Sequence, residues 1–285
     1  MDTYTFACQG ISIPVNVYPA ESVGKAAILY FHGGGLLYGR RDDLPSAYVE
    51  EITRHGYHLL CFDYLLAPES PIASIHESVY AGISWFLRSR ENLFGVSCPY
   101  LLFGRSAGAY LILNAARRLC REGDAKPLAL WPFYGYYSLT SPQFSAPSRY
   151  YRSMPPIPPE MIPSFQNSAP ITSAALEERY FLYVYARQRA LWLHMLGADG
   201  EDRFSVSEEE LPTLPPAFLT ASTADQDIPF SFSKKMSLLI PGSRLFQVFN
   251  LPHDYDRDPA LPESQALYRA CLDWTDARIA AGGLR

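Results

Sequence analysis

The stretch that most constrains this chain is residues 100–109, where an apolar run ends in Gly-Arg-Ser-Ala-Gly and a helix-forming pattern follows. In the order strand, tight turn and helix, a Gly-x-Ser-x-Gly motif presents its serine at the tip of a strand. We expect Gly104 and Gly108 to be required there, because side chains would clash where the strand and the helix nearly touch. The turn would expose the hydroxyl of Ser106. The amide of Ala107, at the N-terminus of the helix, would face an oxyanion formed beside it.

A second glycine-rich stretch directly follows a run typical of a strand. Residues 26–31 are continuously apolar, as expected of a strand buried on both faces. His32 and three glycines come next: Gly33, Gly34 and Gly35. We interpret this loop as an oxyanion hole in which Gly34 and one neighbouring glycine donate together with Ala107, while the ring of His32 braces the loop. The alternatives are a flexible turn and a phosphate-binding loop, and no P-loop or GxGxxG pattern follows to favour the latter.

Patterns typical of strands and of helices alternate along the chain. This alternation predicts an α/β fold with a doubly wound, mostly parallel sheet. The predicted strands are 3–17 (one or two edge strands), 26–31, 59–64, 100–103, 128–134, 217–222 and 245–250. The predicted helices are 71–89, 107–119, 177–196, one that ends near 239, and 262–280.

Residues 138–212 interrupt the alternation. The segment is rich in proline, serine and tyrosine up to residue 170, and a helical pattern follows. We predict a cap inserted between two parts of one core, residues 1–137 and 213–285, because a loop of this length in a compact domain is usually a lid. Its tyrosine, tryptophan and phenylalanine side chains would form the apolar walls of a pocket over Ser106. The alternative is a packing insertion that makes no contact with substrate.

Two residues that could activate Ser106 lie after later strands. A serine hydroxyl needs a base to take its proton, and the base needs an anion to orient it. For a serine turn of this kind the expected chain order is serine, acid, histidine, each just past the carboxyl end of a strand. Asp225 and His253 satisfy both conditions. Asp227 is the rival acid, but Asp225 follows its strand more directly.

Composition narrows the classes of function. The chain has 285 residues, a formal net charge of −5 and no basic run, which argues against nucleic acid as a partner. The five cysteines form no CxxC pair and no cluster with metal-ligand spacing is present, so we expect no metal site and a reduced, cytoplasmic protein. Neither a signal peptide nor an apolar run of membrane-spanning length is visible. A homodimer through the last strand and the closing helix is left open.

Taken together, the motifs resemble the α/β-hydrolase superfamily. They are His32-Gly33-Gly34-Gly35, Asp63-Tyr64, Ala67-Pro68-Glu69, Gly104-x-Ser106-Ala107-Gly108, Asp225 and His253. Within the superfamily the chain looks like the hormone-sensitive-lipase-like carboxylesterases, and the resemblance covers nearly all of the chain outside residues 138–212. That branch usually has aspartate, arginine and glycine at three positions where this chain has Arg105, Leu65 and Ala109.

The resemblance implies a serine esterase that needs no cofactor. The triad would be Ser106, Asp225 and His253. The oxyanion hole would draw on Gly33, Gly34, Gly35 and Ala107. The implied substrates are small-molecule carboxylic esters with small or medium acyl chains, and activity should fall near pH ~6.5 if the pKa of His253 is unperturbed. The alternatives are an amide, lactone or thioester hydrolase with the same triad, and a non-catalytic small-ligand binding protein on this scaffold.

Overall fold

The computed structural model describes residues 1–123, 125–198 and 202–281. Residues 124 and 282–285 of the predicted core and residues 199–201 of the predicted cap lie outside the described residues. One eight-stranded sheet runs through the described part of the chain. Its strands are β1 (Asp2–Cys8), β2 (Ile11–Tyr18), β3 (Ala26–Phe31), β4 (Tyr57–Phe62), β5 (Tyr100–Arg105), β6 (Leu130–Phe133), β7 (Phe218–Ser222) and β8 (Arg244–Val248).

The sheet is mostly parallel, as predicted. Its strand order is β1-β2-β4-β3-β5-β6-β7-β8, and only the β1–β2 and β2–β4 pairs are antiparallel. β2 pairs with strands on both sides, so of the two N-terminal strands only β1 is an edge strand. β3, β4 and β5 are buried along their whole length, which explains why they are apolar apart from His58 in β4 and Arg105 at the end of β5. β8 forms the other edge.

Helices cover both faces of the sheet, which makes the fold doubly wound. Those described are α1 (Ser46–Arg54), α2 (Ile72–Phe94), α3 (Ala107–Glu122), α4 (Pro142–Ser145), α5 (Arg149–Arg152), α6 (Leu176–Gln188), α7 (Trp192–Met195), α8 (Phe230–Leu239) and α9 (Pro262–Ala281). α2, α3 and α8 contribute to one apolar cluster, and α1 and α9 contribute to a second. α1 was not predicted from the sequence. No helix in the described residues has the length and apolar character needed to cross a membrane.

The helix predicted over residues 177–196 is wrong at its C-terminal end. α6 ends at Gln188, and Ala190 adopts a left-handed conformation with φ 58°. A residue with a Cβ in that conformation cannot continue a right-handed helix, so the chain turns and α7 begins at Trp192. The turn lets the indole Nε1 of Trp192 donate to the carbonyl oxygen of Gly35 (2.8 Å).

Two buried ion pairs join α6 to the loops that follow β4 and β7. Arg179 pairs with Glu69 at 2.6 Å and Arg187 pairs with Asp227 at 2.9 Å. All four side chains are nearly inaccessible to solvent. Both loops leave the carboxyl ends of their strands, so these pairs hold α6 over the same end of the sheet as Ser106.

Candidate active site

Ser106 lies in the sharp turn between β5 and α3. Its backbone has φ 52° and ψ −115°, a conformation that residues with a side chain adopt only under strain. A Cβ on Gly104 would lie 2.3 Å from the backbone of Gly108, and a Cβ on Gly108 would lie 2.1 Å from the carbonyl oxygen of Phe31. The expected need for glycine at both positions is therefore confirmed. Ala107 is the first residue of α3, directly beside the serine.

Three of the predicted residues meet at the carboxyl ends of β5, β7 and β8. Nε2 of His253 lies 2.9 Å from Oγ of Ser106, and Nδ1 of His253 lies 2.6 Å from Oδ2 of Asp225. The side chain of Asp225 is fully buried and that of His253 is 17% exposed. In this arrangement Nε2 is within reach of the serine proton while the carboxylate holds the Nδ1–H of the ring.

Asp225, and not Asp227, faces His253. Oδ1 of Asp225 accepts the backbone N–H groups of Asp227 and Ile228, each at 2.9 Å, and these bonds fix the carboxylate in the loop after β7. The carboxylate of Asp227 instead accepts hydrogen bonds from Tyr183 and Arg187. The geometry therefore agrees with the choice of Asp225 over its rival.

Carboxylates near His253 change its basicity. Burial disfavours the charged ring, but the charge and hydrogen bond of Asp225, with further contributions from Asp254 and Asp227, outweigh burial and raise the pKa of His253 above its ordinary 6.5. Oδ1 of Asp254 lies 3.8 Å from Nε2, so this sequence neighbour also faces the ring in space. The premise of an unperturbed pKa is thus wrong, and the neutral form of the ring requires a more alkaline solution.

The glycine loop after β3 lies next to Ser106. Gly34 and Gly35 have φ 96° and 60°, and both line the cavity that contains Ser106. Gly33 lines a neighbouring cavity, although a Cβ on it would lie 3.3 Å from the Cβ of Ser106. The carbonyl oxygen of Gly34 accepts the N–H groups of the residues three and four further on, which turns the loop back on itself.

His32 braces this loop, as predicted. Its Nδ1 lies 2.9 Å from the carbonyl oxygen of Gly33, and its ring stacks on Tyr64 with 4.2 Å between ring centroids. The hydroxyl of Tyr64 donates to the carbonyl oxygen of His32 (2.8 Å). A Cβ on Gly39 would lie 2.1 Å from the His32 ring. The ring is fully buried, and the histidine that contacts the hydroxyl of Ser106 is His253.

The cavity over Ser106 has a volume of about 290 Å³. Residues 138–212 contribute five side chains to its wall, namely Tyr150, Tyr151, Leu176, Tyr180 and Tyr183. The predicted tyrosines of this segment line the cavity, whereas none of the tryptophans and phenylalanines among its described residues does, and the tyrosine hydroxyls make the wall less apolar than predicted. Trp192 packs instead against Phe144 and Tyr136, with 5.1 Å and 5.9 Å between ring centroids.

A buried polar network behind His253 was not predicted. Arg105 donates from Nη2 to Oδ1 of Asp256 (2.8 Å) and from Nε to the hydroxyl of Tyr134 (2.5 Å). The hydroxyls of Tyr134 (2.6 Å) and Tyr268 (2.8 Å) donate to the same carboxylate. The ring of Tyr134 packs edge-on against His253, with 4.9 Å between ring centroids. Arg105, where the branch usually has aspartate, was the sequence signal for this network.

The other two departures from the branch pattern have local structural consequences. The methyl group of Ala109 occupies the space over Gly135, where a Cβ would lie only 2.3 Å from that of Ala109. Leu65 is 1% exposed and packs in the apolar core. Both positions are accommodated by packing and leave the Ser106–His253–Asp225 contacts intact.

Within the described ranges, no group of three or more histidine, cysteine, aspartate and glutamate side chains is placed to hold a metal ion. All five cysteines carry free thiols.

Comparison with known proteins places the chain in a family. A family model described as the alpha/beta hydrolase fold matches residues 28–226, more than half of the chain. The chain therefore belongs to the α/β-hydrolase family. Within it the chain falls in the hormone-sensitive-lipase-like carboxylesterase branch.

Two solved structures resemble the whole chain. A protein of unknown function from Staphylococcus aureus subsp. aureus Mu50 is 31% identical, with a TM-score of 0.88 and coverage of 98% of this chain and 100% of that one. An alpha/beta hydrolase superfamily protein from Enterococcus faecalis is 31% identical, with a TM-score of 0.84 and coverage of 96% and 97%.

Among curated proteins, probable carboxylesterase 6 of Arabidopsis thaliana is 28% identical over 147 residues, which is 47% of this chain and 43% of that protein. The matched stretch spans less than half the length of the curated relatives.

Proposed function

We propose that the protein is a serine hydrolase that cleaves carboxylic esters through Ser106, His253 and Asp225. The observation that carries the proposal is the continuous contact from Oγ of Ser106 through the His253 ring to Asp225, at 2.9 and 2.6 Å. Family membership and the carboxylesterase relative support an ester as the substrate.

In the proposed reaction Oγ of Ser106 attacks the ester carbonyl while Nε2 of His253 takes its proton. The oxyanion is held by the amide of Ala107 and by amides of the glycine loop, for which Gly34 and Gly35 are favoured over Gly33 by their place on the cavity wall. His253 then protonates the leaving alkoxide, and water hydrolyses the acyl-enzyme by the same steps. Asp225 stays ionised and orients the ring throughout.

We also propose that residues 138–212 act as a cap. The tyrosines that this segment places on the cavity wall, and the two buried ion pairs that fasten α6 to the core, support that role. A cavity of about 290 Å³ fits a small or medium acyl or alcohol group. The free thiols support a reducing, cytoplasmic location.

The test is hydrolysis of p-nitrophenyl esters from acetate to decanoate by the wild type, Ser106→Ala and Ser231→Ala. We expect Ser106→Ala to lower kcat by roughly 10⁴–10⁶-fold, because it removes the nucleophile on which the triad acts. Ser231→Ala, an exposed serine on α8, is the matched control and should keep wild-type activity.

Wild-type rates in a folded Ser106→Ala protein would contradict the proposal. Hydrolysis of amides, lactones or thioesters, but of no oxygen ester, would support the alternative hydrolase with the same triad. No hydrolysis of any of these, with the fold intact, would favour the small-ligand binding protein.

A further inference from the structure

The cavity over Ser106 is rich in groups that form hydrogen bonds. Besides its tyrosines, the wall contains the side chains of Gln226, Asp227, Asp254 and Arg257. Its purely aliphatic side chains are Leu176, Ala224 and Pro252. A long alkyl chain would therefore leave polar groups of the wall without partners, at a cost in binding free energy.

The carboxylate of Asp227 on this wall can accept a further hydrogen bond. Its Oδ1 accepts from Arg187 (2.9 Å) and Tyr183 (3.1 Å), while Oδ2 accepts from the hydroxyl of Tyr183 alone among the described residues (2.9 Å). A carboxylate oxygen has two lone pairs, so Oδ2 has room for a second donor. Asp227 is buried and lines the cavity, so a donor on a bound substrate can be the second partner of Oδ2.

The charges around the cavity are paired. Arg187 forms an ion pair with Asp227. Its guanidinium carbon lies within 5.6 Å of the centroids of four aromatic rings, those of Phe144, Tyr151, Tyr183 and Trp192. Asp254 pairs with Arg257 at 3.5 Å. Because each carboxylate already has a cation, a cationic substrate gains little here, whereas a neutral hydroxyl group can donate to Oδ2 without any change of charge.

The adjoining cavity has the same character. It has a volume of about 360 Å³ and shares Gly34, Tyr38, Leu176, Asp254 and Arg257 with the cavity over Ser106. Its further wall includes Arg40 and Asp42, which form an ion pair at 2.7 Å. Asp43, which accepts a hydrogen bond from Tyr30, and Glu177 also line it. A substrate that extends from Ser106 into either cavity therefore meets polar walls.

We propose that the substrates are neutral esters that carry free hydroxyl groups, and that Asp227 is the residue that selects them by accepting a hydrogen bond from one hydroxyl. The inference rests on the proposed esterase function. The inference holds for a hydroxyl in the acyl part or in the alcohol part of the ester, because Ser106 and Asp227 line the same cavity.

The test compares matched esters with and without a hydroxyl. On the acyl side the pair is p-nitrophenyl 3-hydroxybutyrate and p-nitrophenyl butyrate. On the alcohol side it is glycerol monoacetate and propyl acetate. For at least one pair we expect the wild-type kcat/KM to be about 10-fold or more higher for the hydroxylated ester, the size expected for one hydrogen bond to a charged group.

Variants then locate the acceptor. In Asp227→Asn the ratio of kcat/KM within the preferred pair should fall toward one, whereas Tyr183→Phe, which keeps the carboxylate and its ion pair with Arg187, should retain the preference. A preserved ratio in folded Asp227→Asn would overturn the assignment to Asp227. The wild-type comparison decides the substrate class even where the variant does not fold.

Two wild-type results would overturn the inference while leaving the esterase in place. One is equal kcat/KM within both pairs. The other is a preference for acetylcholine over both glycerol monoacetate and 3,3-dimethylbutyl acetate, which is the uncharged isostere of acetylcholine. Failure to hydrolyse any of these esters or the p-nitrophenyl series would contradict the proposed function itself.

Discussion

Asp254 lies beside His253 in the sequence and also faces it across 3.8 Å. Its carboxylate favours the imidazolium form, and it acts in the same direction as Asp225 to raise the pKa of His253. A general base works in its neutral form, so the loss of activity on acidification should begin above pH 6.5 in the wild type. Asparagine tolerates the left-handed backbone of residue 254, which has φ 57°.

We therefore expect Asp254→Asn to move the acidic limb of the kcat/KM profile to lower pH, by roughly one pH unit or less. Removing the carboxylate destabilises the imidazolium, which lowers the pKa, and the base is then neutral in more acidic solution. Asp273→Asn, on the exposed face of α9, removes the same charge elsewhere and should leave the limb in place. A limb that moves to higher pH, or moves equally in both variants, would contradict this account.

Ala109 and Gly135 are in such close contact that only one of them has room for a methyl group. A Cβ on Gly135 would lie 2.3 Å from that of Ala109, so Gly135→Ala overpacks the start of α3. We expect it to lower the free energy of unfolding by about 1–3 kcal/mol, as measured by urea denaturation.

The double variant Ala109→Gly, Gly135→Ala is the control for this pair. With Ala109→Gly the nearest atoms to the new methyl group are the Ser106 carbonyl oxygen at 3.4 Å and the residue 109 Cα at 3.5 Å. The double variant should therefore be more stable than the sum of the single effects predicts, with a coupling of at least about 0.5 kcal/mol. Strict additivity would mean that the two positions do not share this space.

At the scale of elements, the Arg105–Asp256 pair joins the end of β5 to the loop that carries His253. The side chains are 2% and 0% exposed, and the carboxylate also accepts from Tyr134 and Tyr268. A buried guanidinium that loses its partner has no water to replace it. Asp256→Ala should therefore lower the free energy of unfolding by about 3–5 kcal/mol.

The matched control for this pair is Asp258→Ala, two residues further along the same loop. It removes one exposed hydrogen bond from the N–H of Ala260 and should lower the free energy of unfolding by about 1 kcal/mol or less. Urea denaturation of both variants measures the difference. Similar midpoints for Asp256→Ala and the wild type would show that the network carries no stability of its own.

Local patterns predicted most elements because the buried parallel strands have no polar face. β3 is a continuous apolar run, and β4 and β5 contain the apolar runs 59–62 and 100–103. The two glycines around Ser106 follow from the turn alone. α1 was missed although its sequence is amphipathic, with the buried residues Tyr48 and Ile52 four positions apart on one face. The break after Gln188 was missed because the helical pattern continues through Ala190, whose left-handed conformation depends on where Trp192 packs.

At the scale of the whole molecule, the three residues that meet at the site are 28 and 147 positions apart along the chain. Chain order and strand ends were enough to predict that these three side chains meet, since parallel strands bring their carboxyl ends to one edge. The character of the cavity was not predictable in the same way. It depends on the position of α6 over the sheet. Two ion pairs fix that position, and their partners are 110 and 40 residues apart along the chain: Arg179 with Glu69 and Arg187 with Asp227.

Covalent labelling shows whether Ser106 is an activated nucleophile. The intact mass of the protein would be followed after treatment with a fluorophosphonate, with the adduct mapped by peptide sequencing. We predict one adduct per chain, located on Ser106, absent in Ser106→Ala and formed much more slowly in Asp225→Asn. An adduct on another residue, or an unmodified Ser106 in wild-type protein that still hydrolyses esters, would contradict the account.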